Sequence, residues 1–232
     1  GAVFAEGKIV YNLLDGHTVA VDAETGAELW KVKVADLASG ETITMAPLVV
    51  GDRVLVGPSG GEYGIHGWFK ALDLATGKEV WAARNIGPDS AVLATAGTFK
   101  PFYDQGTELA RNSWVGDTWQ HGGAPVWVTG NYDPATNLTF WGTGNGGPWM
   151  GDQRPGDNLY TASTIAVDAA TGAIKGHFQY TPNESWDWDE VSPPILVDYK
   201  RGGRTIKGLV NFARSGYLYF LERTNGAIKF VD

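Results

Sequence analysis

The stretch Val21-Asp22-Ala23-Glu24-Thr25-Gly26, with Trp30 a short way beyond it, decides the fold because it recurs along the chain. The further copies of its six residues are Leu72–Gly77, Tyr132–Asn137, Val167–Gly172 and Leu221–Gly226. In these copies the position of Trp30 is taken by Trp81, Trp141, Gly176 and Phe230. Counted from the acidic residue, successive copies are 51, 60, 35 and 54 residues apart. An imperfect repeat of this length indicates an architecture built from similar units.

Each copy has the chemistry of a β-hairpin turn. The Asp and Thr side chains can hydrogen-bond the turn backbone, and Gly or Asn supplies a positive φ. Short runs of strand-forming residues flank the turns, namely Lys8–Leu13, Thr18–Val21, Leu48–Val50, Arg53–Val56 and Tyr217–Leu221. Helix signals are weak, and the one short helix that we predict lies near Thr107–Arg111.

Units of roughly 50 residues made of short strands are typical of β-propeller blades. We therefore predict an all-β chain of four-stranded antiparallel blades. The alternative is a β-sandwich that uses the same common turn, but a sandwich does not require an aromatic residue after each turn. A propeller closes into a ring to protect its strand edges. Four or five units then predict that residues 1–232 form part of a larger propeller domain.

Composition excludes several classes of function. The chain has 232 residues with a net charge of −8, which argues against a basic nucleic-acid surface and against attachment to anionic lipid. It has no Cys, so disulfides and Cys-based zinc sites are excluded within it. We expect no membrane span because no stretch of about 18 apolar residues exists. The first residues, Gly1–Gly7, do not have the pattern of a signal peptide.

Four segments carry polar residues that a blade does not need. They are Thr44–Pro47 together with Gly57–Gly67, then Trp114–Trp127, Trp141–Trp149 and Asn183–Glu190. Each has an ordinary structural explanation: a glycine-rich hairpin, aromatic core packing, a turn asparagine and a solvated acidic turn. The glycines around Glu62 also allow the backbone to approach a ligand closely. One of the clustered Trp side chains could instead stack on a flat cofactor.

The acidic and amide side chains of these segments form an all-oxygen set, which consists of Glu62, Asn145, Asp187 and Asp189. Such a set suits a hard ion such as calcium rather than zinc or copper. If Asp187 and Asp189 lie on a strand, they point to the same face. Two carboxylates on one side repel each other unless they share a cation or a proton.

The order and spacing of these motifs resemble the PQQ-dependent (quinoprotein) methanol and ethanol dehydrogenases along essentially the whole chain. The repeated Asp-x-x-Thr-Gly-x-x-x-Trp is similar to the tryptophan-docking motif of that family. The resemblance implies an eight-bladed propeller, of which this chain would be an internal piece of about half. Two departures stand out: Gly176 replaces a docking Trp, and the places of the family's paired cysteines and of further PQQ-binding residues fall before residue 1.

The resemblance implies roles for individual residues. It assigns PQQ binding to Thr44, Ser59, Gly60, Gly61, Trp127 and Arg214. It assigns the metal ion to Glu62, Asn145, Asp187 and Asp189. It makes Asp187 and Arg214 the catalytic pair, with Asp187 as general base and Arg214 facing the reactive quinone oxygens.

The implied activity is oxidation of a primary or secondary alcohol to a carbonyl compound, with electrons passed to a cytochrome c in the periplasm. Asp189 bears on the metal: the resemblance implies a small uncharged residue there in calcium-dependent members and an Asp in lanthanide-dependent ones. We therefore expect PQQ and one ion, lanthanide(III) or Ca²⁺. The alternatives are a non-catalytic propeller scaffold and a quinoprotein sugar or polyol dehydrogenase.

Overall fold

A computed structural model describes residues 1–87, 113–224 and 227–232 of the chain, which form four antiparallel sheets of four strands each. Blade 1 consists of β1 Ala2–Ala5, β2 Lys8–Asn12, β3 His17–Asp22 and β4 Glu28–Lys33. Blade 2 consists of β5 Leu48–Val50, β6 Arg53–Val56, β7 Trp68–Asp73 and β8 Glu79–Arg84. Blade 3 consists of β9 Asn131–Asp133, β10 Leu138–Gly142, β11 Ser163–Asp168 and β12 Ile174–Gln179. Blade 4 consists of β13 Ile195–Arg201, β14 Arg204–Phe212, β15 Leu218–Thr224 and β16 Ala227–Phe230.

The strands of each blade follow one another in sequence order, so every pair is a simple up-and-down connection. This confirms the predicted all-β fold with four-stranded antiparallel blades, and the strands expected from the sequence are present. The helices of the described residues are short 3-10 turns at Leu37–Ser39, Gly61–Tyr63, Thr118–His121 and Gly151–Gln153. The helix expected near Thr107–Arg111 lies outside the described residues. In the described ranges, no helix is long and apolar enough to cross a membrane.

Alternating side chains of neighbouring blades pack into a shared core. One buried cluster runs through the first three blades and includes Val10, Val54 and Ile165. A second cluster joins blades 3 and 4 and includes Phe140 and Leu209. Because each blade buries its faces against the next, the blades have fixed positions relative to one another.

Two docking tryptophans, Trp30 and Trp81, form contacts between successive blades. Trp30 of β4 is only 8% exposed, and its indole Nε1 donates to the carbonyl oxygen of Leu74 in blade 2 at 3.0 Å. Gly77 takes φ +72°, and a Cβ there would lie 2.7 Å from the Trp30 ring. Trp81 repeats this contact on blade 3, donating to the carbonyl oxygen of Ala169 at 3.2 Å. Gly77 and Gly172 therefore each make room for the docking Trp of the preceding blade.

The third copy of the motif is not a docking copy, which corrects the expectation from the repeat. Tyr132–Asn137 forms the turn between β9 and β10, whereas the docking turns join the third and fourth strands of a blade. Trp141 lies within β10, is fully buried and packs against Phe69 with ring centroids 5.3 Å apart. This extra copy explains the uneven spacing of the repeat, because blade 3 contains two copies of the same turn chemistry.

Blades 3 and 4 are joined without a docking Trp. Gly176 occupies the Trp position in β12 and pairs with Ala166. Arg223 of β15 instead forms an ion pair with Asp133 of β9 at 3.0 Å, and both side chains are only 10% exposed. A largely buried charge pair with its own hydrogen bonds thus connects this pair of blades.

We expect Trp30→Ala in the full-length protein to lower the free energy of unfolding by about 3–5 kcal/mol, because it leaves a cavity between blades 1 and 2. The neighbouring control, Leu29→Ala, removes a side chain that is 47% exposed and should change stability by no more than about 0.5 kcal/mol. Urea denaturation of both variants measures the difference. Equal losses would show that Trp30 does not join the blades.

Candidate active site

The predicted site residues lie on loops at one end of the blades. Thr44 precedes β5 and Trp127 precedes β9, so both lie on connections that enter a first strand. The other candidates lie either on such connections or on the loops between the second and third strands of a blade, namely Ser59–Glu62, Asn145, Asp187, Asp189 and Arg214. In an up-and-down sheet these two kinds of connection emerge at the same end. The topology therefore places residues that are distant in sequence on one surface.

A cavity of about 300 Å³ opens among these loops. Its lining consists of Thr44, Ser59, Gly60, Gly61, Glu62, Pro125, Trp127, Asn145 and Asp189. All of these residues except Pro125 were singled out from the sequence. Asp187 adjoins the cavity through a hydrogen bond to Asn145, and the positive charge of Arg214 acts on Asp189. The structure thus brings the candidate residues of blades 2, 3 and 4 into one neighbourhood.

Two hydroxyls and a narrow glycine segment form one wall of the cavity. The Oγ1 of Thr44 and the Oγ of Ser59 are 2.6 Å apart, and Thr44 also donates to the carbonyl oxygen of Trp127 at 3.2 Å. Gly60 takes φ +122°, and a Cβ there would lie 2.2 Å from the carbonyl oxygen of Gly40. Only glycine fits at this point, so the backbone itself forms the surface.

Asn145 connects the two aspartates of the opposite wall. Its backbone N–H donates to Asp189 Oδ1 at 2.8 Å, and its side-chain Nδ2 donates to Asp187 Oδ1 at 2.6 Å. Asp187 and Asp189 do not lie on a strand, because both are in the loop between β12 and β13. Asp187 takes φ +63°, a turn conformation that Asp tolerates. This turn, rather than strand alternation, brings both carboxylates to Asn145.

The site has more negative than positive charge. Burial raises the pKa of Asp189 above its usual value, the Asn145 N–H opposes that rise, and the carboxylates of Asp187 and Glu62 add to it. Burial likewise raises the pKa of Glu190 to about 7. Arg214 is the cation that acts on both groups. Carboxylates crowded in this way favour uptake of a cation or of protons.

The donor set fits a hard cation. Among residues 1–87, 113–224 and 227–232, no three acidic or histidine side chains are close enough to form a metal site by themselves. Asn145 connects these carboxylates, because its backbone N–H donates to Asp189 and its side-chain Nδ2 donates to Asp187. Its amide carbonyl offers a further oxygen, which gives an all-oxygen set when Glu62 is included. Nitrogen and sulfur donors, which zinc and copper prefer, are absent from this set.

Arg154 was not found from the sequence, yet it holds the loops of Asn145 and Asp187 together. It is fully buried, and its Nε donates to the carbonyl oxygen of Pro148 at 2.7 Å. Its Nη2 donates to the carbonyl oxygens of Trp149 and Glu184. Pro148 and Trp149 follow Asn145, and Glu184 precedes Asp187, so one guanidinium joins both loops. No motif marks this arginine, since its role depends on burial and on hydrogen bonds to loops that only the fold brings together.

Glu190 is the second residue that sequence reasoning missed. It ends the quoted acidic segment, and its Oε1 accepts from the backbone N–H of Arg214 at 2.8 Å. The sequence signal was present, because Glu190 directly follows Asp189. Nothing in the sequence, however, distinguishes a buried carboxylate from a solvated one.

Comparison with known proteins agrees with this fold. Residues 33–228 match the family model described as "PQQ: Glucose/ethanol/alcohol dehydrogenase, beta-propeller domain". The chain belongs to this family of quinoprotein dehydrogenase propellers. This confirms the resemblance inferred from the motifs, whereas the roles of the individual residues are not tested by the match.

Relatives of known identity cover the chain almost completely. It is 44% identical over 230 residues to the lanthanide-dependent methanol dehydrogenase of Methylacidiphilum fumariolicum (strain SolV), covering 98% of this chain and 38% of that protein. It is 41% identical over 223 residues to methanol dehydrogenase [cytochrome c] subunit 1 of Methylorubrum extorquens, covering 95% of this chain and 36% of that protein. The solved structure of a europium-containing methanol dehydrogenase superimposes with a TM-score of 0.91 at 42% identity, covering 98% of this chain and 40% of that one. The chain thus spans well under half the length of these relatives.

We expect Arg154→Met in the full-length protein to lower the free energy of unfolding by about 3 kcal/mol, because the carbonyl oxygens of Pro148, Trp149 and Glu184 lose this donor. The control is Arg204→Met, which removes an exposed arginine whose ion pair with Glu222 is 4.0 Å long. That variant should be close to wild type, since exposed ion pairs contribute little. Thermal and urea unfolding compare the two. A loss no larger than that of the control would contradict the role of Arg154.

Proposed function

We propose that the full-length protein oxidises a primary or secondary alcohol to a carbonyl compound, using PQQ and one bound metal ion. The observation that carries the proposal is the convergence of the candidate residues on one cavity of about 300 Å³. A propeller that served only as a scaffold would not need hydroxyls, glycines and an all-oxygen donor set to meet there. Family membership supports the same conclusion, since the matching model is that of PQQ dehydrogenases.

The wall formed by Thr44, Ser59, Gly60 and Gly61 would hold PQQ by its carboxylate groups. Paired hydroxyls can donate to a carboxylate, and a glycine backbone lets a flat ring approach closely. Trp127 lines the same cavity and offers an aromatic surface for stacking. When bound, PQQ supplies a two-electron acceptor and the metal ion supplies a Lewis acid.

Asp187 would act as the general base for the alcohol hydroxyl. Its carboxylate is exposed at the edge of the cavity, and only one of its oxygens is bonded to Asn145. The other oxygen is therefore available to a substrate proton. The guanidinium of Arg214 would stabilise negative charge that develops on the oxygen acceptors of the site.

The metal site would prefer a lanthanide(III) ion over Ca²⁺. Glu62 and Asp187 already balance a divalent ion, and Asp189 adds a third carboxylate to the same neighbourhood. The raised pKa of Asp189 reflects this crowding in addition to its burial. A trivalent ion would offset the third charge, and its greater charge would make it the stronger Lewis acid.

We favour a small alcohol over a sugar or polyol as the substrate. A second cavity of about 530 Å³ shares Gly61 and Glu62 with the first, and it is lined by Tyr63, Trp149 and Met150. Apolar walls favour a substrate with few hydroxyl groups. By analogy with the relatives, we further propose a cytochrome c as electron acceptor and the periplasm as location.

Replacing the proposed base tests the reaction. We expect Asp187→Asn to lower kcat by about 10²–10⁴ with ethanol and an artificial dye, because the amide retains the shape but cannot accept the proton. PQQ affinity should remain near that of wild type. Asp198→Asn is the control, since Asp198 forms an exposed ion pair with Lys207 on blade 4. Retained turnover in Asp187→Asn would remove this residue from the mechanism.

Metal add-back tests the ion preference. Metal-free, PQQ-loaded full-length protein should regain more activity with lanthanum than with calcium. Asp189→Ala should weaken the response to lanthanum at least about tenfold, because a carboxylate ligand is lost. Asp152→Ala serves as the control for removal of a negative charge, because Asp152 is an exposed residue of the 3-10 turn Gly151–Gln153. Equal calcium-supported activity in wild type and Asp189→Ala, with no response to lanthanum, would refute the preference.

A further inference from the structure

Glu190 is a buried carboxylate between two blades. Its residue surface is 1% exposed, and its backbone N–H donates to the carbonyl oxygen of Thr143 at 3.2 Å. Its side chain crosses from the blade 3 side to blade 4, where Oε1 accepts from the backbone N–H of Arg214 at 2.8 Å. Glu190 therefore links the end of β10 to the hairpin turn between β14 and β15.

The backbone of Glu190 packs closely against the end of β10. A Cβ placed on Gly142 would lie 2.1 Å from the carbonyl oxygen of Glu190, so the two chain segments are already in close contact. The next residue, Val191, is buried as well. A side chain that projects from so constrained a backbone presents its oxygen at a defined position.

The hydrogen-bond partner of Glu190 is the backbone N–H of Arg214, whereas the guanidinium acts on Glu190 through its charge. The turn is closed by the Ala213 N–H, which donates to the carbonyl oxygen of Tyr217 at 2.9 Å, and by the Gly216 N–H, which donates to Ala213 at 2.9 Å. Ala213 is buried, whereas Arg214 and Gly216 are exposed. The hydrogen bond to Glu190 is thus the contact that ties the exposed part of this turn to the loop bearing Asp187 and Asp189.

We infer that Glu190 is a positioning residue, which holds the Arg214 turn against the Asp187–Asp189 loop and thereby sets where the guanidinium lies. The inference rests on the role proposed for Arg214 in the site. Two features set Glu190 apart from a carboxylate that only stabilises the fold. It directly follows Asp189 in the chain. Its side-chain oxygen accepts from Arg214, the residue whose positive charge acts on Asp189.

A positioning role requires an acceptor oxygen at the right distance and does not require the negative charge. Glu190→Gln keeps that oxygen, Glu190→Asp keeps the charge but shortens the side chain, and Glu190→Ala removes both. The control is Glu222→Ala, which removes a carboxylate of β15 that lies 4.0 Å from Arg204.

The first measurement is hydrogen–deuterium exchange of a peptide that contains the Arg214 amide, in the full-length protein. Loss of a hydrogen bond to a buried carboxylate should speed exchange of this amide about tenfold or more in Glu190→Ala and Glu190→Asp. Glu190→Gln and Glu222→Ala should exchange like wild type. If Glu190→Ala does not fold, the pair Glu190→Asp and Glu190→Gln carries the same comparison.

The second measurement is a double-mutant cycle between Glu190 and Arg214. In PQQ-loaded protein, Glu190→Asp should lower kcat more than it raises KM, and it should have little further effect in an Arg214→Ala background. If the fall in kcat of the double variant equals the product of the two single falls, the positioning role is overturned. An unchanged exchange rate of the Arg214 amide in Glu190→Asp would overturn it as well. If Arg214→Ala itself leaves turnover unchanged, the proposed role of Arg214 fails, whereas the exchange data still report on the anchoring of the turn.

Discussion

The contact on which the rest of the structure depends is the docking of one blade onto the next. The indole N–H of a Trp in one blade donates to a carbonyl oxygen in a turn of the next blade. A glycine in that turn leaves space for the indole ring. These contacts join blades 1, 2 and 3, while a buried ion pair and an apolar cluster join blades 3 and 4. The candidate residues come from loops of three different blades, so their mutual distances are set by how the blades stack and not by any single loop.

The same loops concentrate negative charge that the protein itself does not balance. The carboxylates of Glu62 and Asp187 act on Asp189 and raise its pKa further, while the positive charge of Arg214 opposes them. Such an arrangement is costly for a protein that binds nothing there, because like charges repel most strongly where water is partly excluded. It becomes favourable when a hard cation supplies the missing positive charge. The need to neutralise these carboxylates is thus a physical reason for the site to bind a cation.

Two buried polar side chains give this site its rigidity. Arg154 holds the loop after Asn145 against the loop before Asp187, and Glu190 ties the Arg214 turn to the Asp187–Asp189 loop. Both use backbone atoms of neighbouring loops as partners, so they control loop position without facing the cavity. Burying charged groups is favourable only when their hydrogen bonds are made, which links the shape of the site to the integrity of these contacts. Rigid support of this kind is what a site needs to hold several groups at fixed distances.

The sequence by itself determined the strands, the hairpin turns, the propeller class and nearly all the residues that line the cavity. These features have local signatures: alternating strand residues, turn residues with a required φ, and oxygen-bearing side chains among glycines. It could not show that Tyr132–Asn137 is an ordinary hairpin turn, because identical turn chemistry serves any two antiparallel strands. It also could not show that Asp187 takes a positive φ, or that Arg154 and Glu190 are buried. Those properties depend on contacts between segments far apart in the chain, and only the packing of the blades decides them.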